Sequence, residues 1–326
     1  MEMESNKKTI YLFESRFNSI EEALEELIKI NKKIIVMSAD ISSRIAPKFV
    51  VNNPDRFFNF GIAEQNMFSA AAGFAITGLT PIVMTLSVFV SMRACEQVRT
   101  DISYPKLNVV IIATGGGMSY GTLGATHMGI EDISILRSIP NMTIIIPADY
   151  TEAKYMIKEA INIKGPVYIR FGRKENPEVY RNNPPNKFII GKAVKLREGA
   201  DISLISCGNM VNKALEASNK LEGLGISVSV YDFHTIKPLD EKSALEASMS
   251  RFGIITIEDN NFFGGLGSAV AEFLSANKPT PIKRIGIPDV YPVIGGQEDL
   301  YKEYRMDTDS IIQMAVEMIK KIKRNY

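Results

Sequence analysis

Apolar residues recur at helical spacing from Ile20 to Ile30, and the run KIIVMSAD that follows reads as a buried strand ending at Asp40. The alternation then repeats. A helix is expected after Gly61, then a strand in PIVMTL (81–86), a helix in SMRACEQVRTDI (91–102) and a strand in LNVVIIAT (107–114) running into Gly115, Gly116 and Gly117. Next come a helix in IEDISILRSI, a strand in MTIIIPA, a helix in YTEAKYMIKEAINI and a strand in GPVYIRF. Strands built almost wholly of Val and Ile, separated by helices, predict a parallel sheet covered on both faces.

The stretch RKENPEVYRNNPPNK, Arg173 to Lys187, has three prolines and no periodicity, so it reads as a linker. Beyond it the pattern restarts with ADISLISC, a helix from Val211 to Leu221, ISVSVYDF, a helix after Pro238, FGIITIED, a helix after Gly267, PIKRIGI and a last helix from Ser310 to Lys323. The expected organisation is two consecutive α/β domains, residues 1–175 and 189–326, joined by a linker over 176–188.

Composition narrows the function classes. Lys and Arg number 38 against 37 Asp and Glu, a net charge of +1, which gives no electrostatic case for nucleic acid or a membrane surface. The two cysteines, Cys95 and Cys207, form no metal or redox motif, and two histidines, His127 and His234, are too few for a histidine-rich metal site. No charge occurs from Met67 to Met92, but TGLTP interrupts the run with turn formers, so a buried helix, a turn and a buried strand are expected, not a membrane span. The opening MEMESNKKTI has no apolar core, so no signal peptide is expected and the cytoplasm is the expected location.

The candidate chemistry begins with FFNFGIAEQNMFSAAAGFAITG (57–78), whose single charge is Glu64. Gly61-Ile-Ala-Glu64 puts this carboxylate near the third position of the helix, where it would meet free N–H groups as a cap. The Ala-rich helix around it has no polar face, which predicts burial all round and argues against a solvated cap, since a buried carboxyl tends to be held protonated and able to donate. Phe89, in a turn between strand and helix, reads by itself as core packing. Asp40, at a strand end, reads as a helix cap or a ligand contact. His127, in GATHMG after the glycine-rich loop, reads as structural or as a substrate contact. Arg173 reads by itself as a solvated linker residue, although its guanidinium fork would suit a phosphate. GGLGSAVAE (264–272) lacks a Lys-Ser/Thr ending and reads as tight helix–strand packing, not a nucleotide loop.

RFFNFGIAEQNM, RACEQVRTDISYPKLNV, GATHMGIEDISILRSIPNMTIIIPAD and GPVYIRFGR together resemble the pyrimidine-binding domain of the transketolase family, and ISCGNMVNKALEA, DFHTIKPLD and FFGGLGSAVAEFL resemble its C-terminal domain. The resemblance implies thiamin diphosphate as cofactor. Glu64 would hydrogen-bond the aminopyrimidine ring nitrogen and promote loss of the thiazolium C2 proton; Phe89 would stack on that ring, with Asp40 and Ile62 beside the cofactor. His127 would face sugar hydroxyls, and Arg173 and Arg16 would hold an anionic substrate group.

Three departures accompany the resemblance. Leu86 stands where the family often has a second Phe. Leu123 replaces an Asp that contacts a sugar hydroxyl, and Gly115 replaces a His that joins the arginine on the substrate phosphate.

The family's N-terminal half carries Gly-Asp-Gly and a downstream Asn that ligate Mg²⁺ at the diphosphate, and this chain contains no Gly-Asp-Gly. The expectation is therefore the C-terminal subunit of a split transketolase, completed by an N-terminal partner that holds the Mg²⁺, in an α2β2 assembly acting on sugars. The alternatives are the β subunit of a 2-oxoacid dehydrogenase, a 1-deoxyxylulose-5-phosphate synthase-like enzyme, or a non-catalytic stabilising partner.

Overall fold

The Val/Ile runs form parallel strands in the computed structural model, which describes residues 19–41, 46–172, 178–180 and 184–324. Arg16 and Arg173 lie outside the described residues. In the first half, helix α1 (19–30) leads into β1 (Ile34–Ser38), α2 (Pro47–Asn52), β2 (Phe57–Asn59), α3 (Glu64–Ile76) and β3 (Thr80–Leu86). A helical run α4 (89–103) precedes β4 (Val110–Thr114), α5 (Asp132–Ser138), β5 (Thr143–Ile145), α6 (Tyr150–Ala160) and β6 (Val167–Arg170). The second half begins with β7 (Val194–Arg197), β8 (Ile202–Ser206), α7 (Met210–Glu222), β9 (Val228–Asp232), β10 (Thr235–Lys237) and α8 (Glu241–Ala247). It ends with β11 (Ile254–Asn261), α9 (Leu266–Asn277), β12 (Ile282–Ile287), α10 (Gln297–Glu303) and α11 (Thr308–Arg324).

Two sheets result, ordered β10-β5-β6-β4-β3-β1-β2 and β12-β11-β8-β9-β7. Pairings are parallel except at β10–β5 and β7–β9, which are antiparallel. Strands β1, β4 and β8 are buried at every position, as strands with helices on both faces must be. Helices α3 and α4 pack over one face of the first sheet with α5, and α1 and α6 cover the other.

Helix α3 is not buried all round. Gln65, Asn66, Ser69, Gly73 and Ile76 form an exposed face, with Ile76 73% exposed, while Glu64, Met67, Phe68, Ala71 and Ala72 face inward. Small uncharged residues make both faces look alike in sequence, so composition does not reveal which side the sheet covers. The helix expected over 91–102 starts earlier, at Phe89, and contains wide turns in which Ala94 N–H donates to Phe89 O and Tyr104 N–H to Arg99 O. Such five-residue turns recur at functional sites.

The linker is anchored as well. Tyr180 is 1% exposed; its N–H donates to Asp149 Oδ2 at 2.6 Å and its hydroxyl to Asp232 Oδ2 at 2.6 Å. Glu152, Asp232 and His234 are buried around it, with His234 Nε2 4.0 Å from Glu152 Oε1. Burial pushes the Asp232 carboxyl up to about 7 and Glu152 well above the carboxylate range, and pushes His234 down to about 4.

Candidate functional site

Glu64 opens α3 at the first helical position, with Ala63 as N-cap, so it sits one half-turn earlier than the Gly61 spacing suggests. There it faces the positive end of the helix dipole. Its carboxylate nevertheless pairs with a side chain: Oε2 accepts from Arg93 Nη1 at 2.7 Å, with Glu64 2% and Arg93 41% exposed. Phe89 and Arg93 are four residues apart on α4, the spacing that stacks side chains on one face. The Arg93 guanidinium carbon accordingly lies 4.0 Å from the Phe89 ring centroid. On the same half-buried ring the His127 imidazole makes an edge contact, with centroids 5.9 Å apart at 67°. Three elements thus deliver a buried carboxylate, a guanidinium, a flat aromatic surface and an imidazole to one place.

The loop after β4 carries the imidazole. Its ends are tied together, with Gly117 N–H donating to Gly129 O at 2.7 Å and Gly129 N–H to Gly115 O at 3.2 Å. Gly115 has φ +79°, and a Cβ there would lie 2.5 Å from the Tyr120 ring, so a side chain at this place would be strained and would displace that ring. His127 Nδ1 is 2.9 Å from Thr126 Oγ1, and Leu123 is 49% exposed on the turn Met118–Leu123.

Other expected site residues are placed differently. Asp40 is exposed in the left-handed region at φ +58°, and its N–H donates to Asn59 Oδ1 at 3.2 Å. It does not cap α2, whose N-cap is Ala46. Ile62 is 75% exposed. Neither belongs to the linked group Glu64–Arg93–Phe89–His127. Arg93 was overlooked in sequence, although its four-residue offset from Phe89 on a helix was available as a signal.

At GGLGSAVAE the end of α9 is already filled. Glu258 Oε2 accepts from Leu266 N–H at 2.7 Å and Oε1 from Gly267 N–H at 2.8 Å, while Gly265 leaves room for that carboxylate. Burial pushes Glu258 up to about 7 against these two hydrogen bonds. The packing reading holds. Among the described residues no group of three or more His, Cys, Asp or Glu is arranged to hold a metal ion, and no helix is long and apolar enough to cross a membrane.

The fold and the cluster define a two-domain α/β chain with a buried acid beside an aromatic face. Residues 16–178 match the family model for the transketolase pyrimidine-binding domain and 191–311 that for the transketolase C-terminal domain. The chain belongs to the transketolase family. It is 36% identical over 304 residues to one subunit of the apulose-4-phosphate transketolase of Phocaeicola vulgatus, covering 93% of this chain and 97% of that one. It is also 36% identical over 296 residues to a 6-deoxy-6-sulfo-D-fructose transketolase subunit of Clostridium sp. (strain MSTE9), covering 90% and 91%. A solved structure described as a split gene transketolase, inactive beta4 tetramer, superposes with a TM-score of 0.84 at 38% identity, covering 93% of this chain and 97% of that one.

Proposed function

We propose that this chain is the C-terminal subunit of a split, thiamin-diphosphate-dependent transketolase that moves a ketol unit between sugars when joined by an N-terminal companion. One observation supports the reading most: a carboxylate that is 2% exposed is held beside the Phe89 ring, in a chain that spans split-subunit relatives almost end to end.

An aminopyrimidine suits these residues, because Phe89 offers a ring face and Glu64 a carboxyl group for a ring nitrogen. When bound, thiamin diphosphate supplies the electron sink for breaking the bond beside the ketone. Glu64 holds a proton at the ring nitrogen, in a site that excludes water from one side. A carboxyl group donates only when protonated, so in the filled pocket Glu64 would donate to the ring nitrogen in place of its contact with Arg93. His127, with Nδ1 engaged by Thr126, presents Nε2 to substrate hydroxyls. Asp40 and Ile62 approach the cofactor only once the companion closes over them, and Arg173 and Arg16 take an anionic group of the sugar.

The companion carries the Gly-Asp-Gly and Asn ligands for Mg²⁺, and the assembly is α2β2. The open face of α3, the exposed Met92 of α4 and Tyr104 just after it support association, and the beta4 tetramer description of the related structure supports contacts between copies. Calorimetry and mixing test the reading. The chain alone is expected to bind thiamin diphosphate weakly and to turn over nothing, and addition of the companion to produce Mg²⁺-dependent ketol transfer. Tight cofactor binding by the chain alone contradicts the split reading, and condensation of pyruvate with glyceraldehyde 3-phosphate would move the assignment to a 1-deoxyxylulose-5-phosphate synthase-like reaction.

A further inference from the structure

The four residues of the site cluster all belong to the first half of the chain, yet the loop that carries His127 is fastened to the second. Asp259, on β11, is 4% exposed, and its Oδ1 accepts from Met118 N–H at 3.1 Å. Its Oδ2 accepts from the Tyr301 hydroxyl at 2.7 Å and, more loosely, from Gln297 Nε2 at 3.4 Å, both from α10. Gly117, at φ +61°, is the residue that admits this carboxylate: a Cβ there would lie 2.1 Å from Asp259 Oδ2. The other end of the loop is held through the same strand. Arg170 Nη2 donates to Gly129 O at 2.7 Å and to Asp259 O at 2.8 Å, with its Nε 2.9 Å from Asp132 Oδ2. Beyond the loop, Asn261 N–H donates to Ile130 O at 2.9 Å, and Gly295 N–H reaches Gly121 O at 3.2 Å within it.

A carboxylate taken out of water costs several kcal/mol unless hydrogen bonds replace the lost solvent. Here the replacements are a loop amide, a hydroxyl and a looser amide from α10, and the nearby Arg170 charge, so the favourable state of Asp259 depends in part on the loop being in place. His127 lies between the two tied ends, nine residues after Met118 and two before Gly129. A loop fixed at one end only would let its imidazole leave the edge of Phe89. We propose that Asp259 is a positioning residue for substrate recognition: the second domain, through this side chain, sets where His127 stands. The proposal rests on the functional reading above only for what His127 contacts, not for the anchoring itself.

The test uses the full chain, alone and reconstituted with its companion. Asp259→Ala removes the acceptor; Asp259→Asn keeps one carbonyl oxygen for Met118 N–H; Gly117→Ala pushes the loop off from the other side. In the chain alone, hydrogen exchange over 117–129 is expected to rise in Asp259→Ala and Gly117→Ala, to stay near the parent in Asp259→Asn, and to leave the 89–103 helix unchanged. In the reconstituted enzyme, assayed with apulose 4-phosphate, 6-deoxy-6-sulfo-D-fructose and xylulose 5-phosphate as donors, KM for the accepted ketose is expected to rise roughly tenfold, with thiamin diphosphate affinity unmoved. Adding Asp259→Ala to His127→Ala is expected to cost nothing further, because both changes remove one function.

Unchanged loop exchange, or losses that multiply in the double variant, overturns the proposal. A silent His127→Ala overturns the substrate role of the histidine instead, while loop exchange still decides the anchor. Should Asp259→Ala fail to fold, Gly117→Ala and Asp259→Asn carry the same comparison.

Discussion

Arg93 serves Glu64 and Phe89 at once: it donates to the carboxylate at 2.7 Å and lays its guanidinium 4.0 Å from the ring centroid. The lone charge of an apolar segment is therefore paired, and its partner lies over the face of the Phe89 ring.

Glu64→Gln is expected to abolish turnover by the reconstituted enzyme, a loss on the order of 10²–10⁴-fold or more, while assembly and folding persist. The amide is nearly isosteric but cannot carry the same proton. NMR exchange of the C2 hydrogen of bound cofactor reads the effect directly. An exchange rate equal to the parent's would leave Glu64 with only its place at the helix terminus.

Arg93→Ala leaves Glu64 buried without its cation. Removing one partner of a fully buried pair costs about 3–5 kcal/mol, but Arg93 is 41% exposed and water screens part of that. The expected loss in urea unfolding of the chain alone is about 1–2 kcal/mol. In a Glu64→Gln background the same change is expected to cost little, since no charge is left to strand. Equal losses in both backgrounds would show that the guanidinium acts through packing on Phe89 alone.

Stability is expected to fall as pH rises through neutrality. Asp232 titrates at about 7 in the folded chain against 3.8 for the free group, and Glu258 at about 7 against 4.5. Across those windows the folded chain holds protons that the unfolded chain has lost, so stability drops as pH climbs to about 7. His234 works the other way: at about 4 folded and 6.5 free, it removes stability as pH falls below 6.5. Between pH 8 and 6.5 the carboxyls dominate, and His234 begins to offset them only as pH nears 6.5. The melting temperature is expected to rise by about 1–2 °C as pH is lowered over that interval, and Asp232→Asn to flatten part of the slope. A melting temperature that climbs toward pH 8 would contradict this.

The central strands were legible because a strand buried on both faces has little but Val and Ile to offer, as in β1 and β4. The three that escaped notice, β2, β7 and β10, are all sheet edges of three or four residues, too short for a period to appear. Thr235–Lys237 joins the first sheet from the far side of the linker, a pairing that no local pattern encodes. Tyr180 was hidden by its polar neighbours, since one aromatic in a Pro/Asn run gives no periodicity although it is almost fully buried. At the site, Glu64 stood out because a single charge in an apolar run is costly. Arg93 did not, because a charge on an amphipathic helix costs nothing until its neighbour across the fold is known.

Substrate preference is expected to lie away from the ordinary pentose phosphates, and two positions carry this. Leu123 cannot accept a hydrogen bond from a sugar hydroxyl, and a site without that partner no longer selects for the hydroxyl. A histidine at Gly115 would be strained, because φ is +79° and the Tyr120 ring, 2.5 Å from where a Cβ would stand, would have to move. The reconstituted enzyme is therefore expected to prefer a deoxy, sulfonated or otherwise modified ketose to xylulose 5-phosphate with ribose 5-phosphate. Leu123→Asp should move it back toward xylulose 5-phosphate by roughly 10-fold or more in kcat/KM, the value of one charge-assisted hydrogen bond at about 1.5–3 kcal/mol. Gly115→His is expected to disturb the loop without any such gain. Parent enzyme that turns over the ordinary pair at about 10⁴ M⁻¹s⁻¹ or above would rule out a specificity role for Leu123 and Gly115.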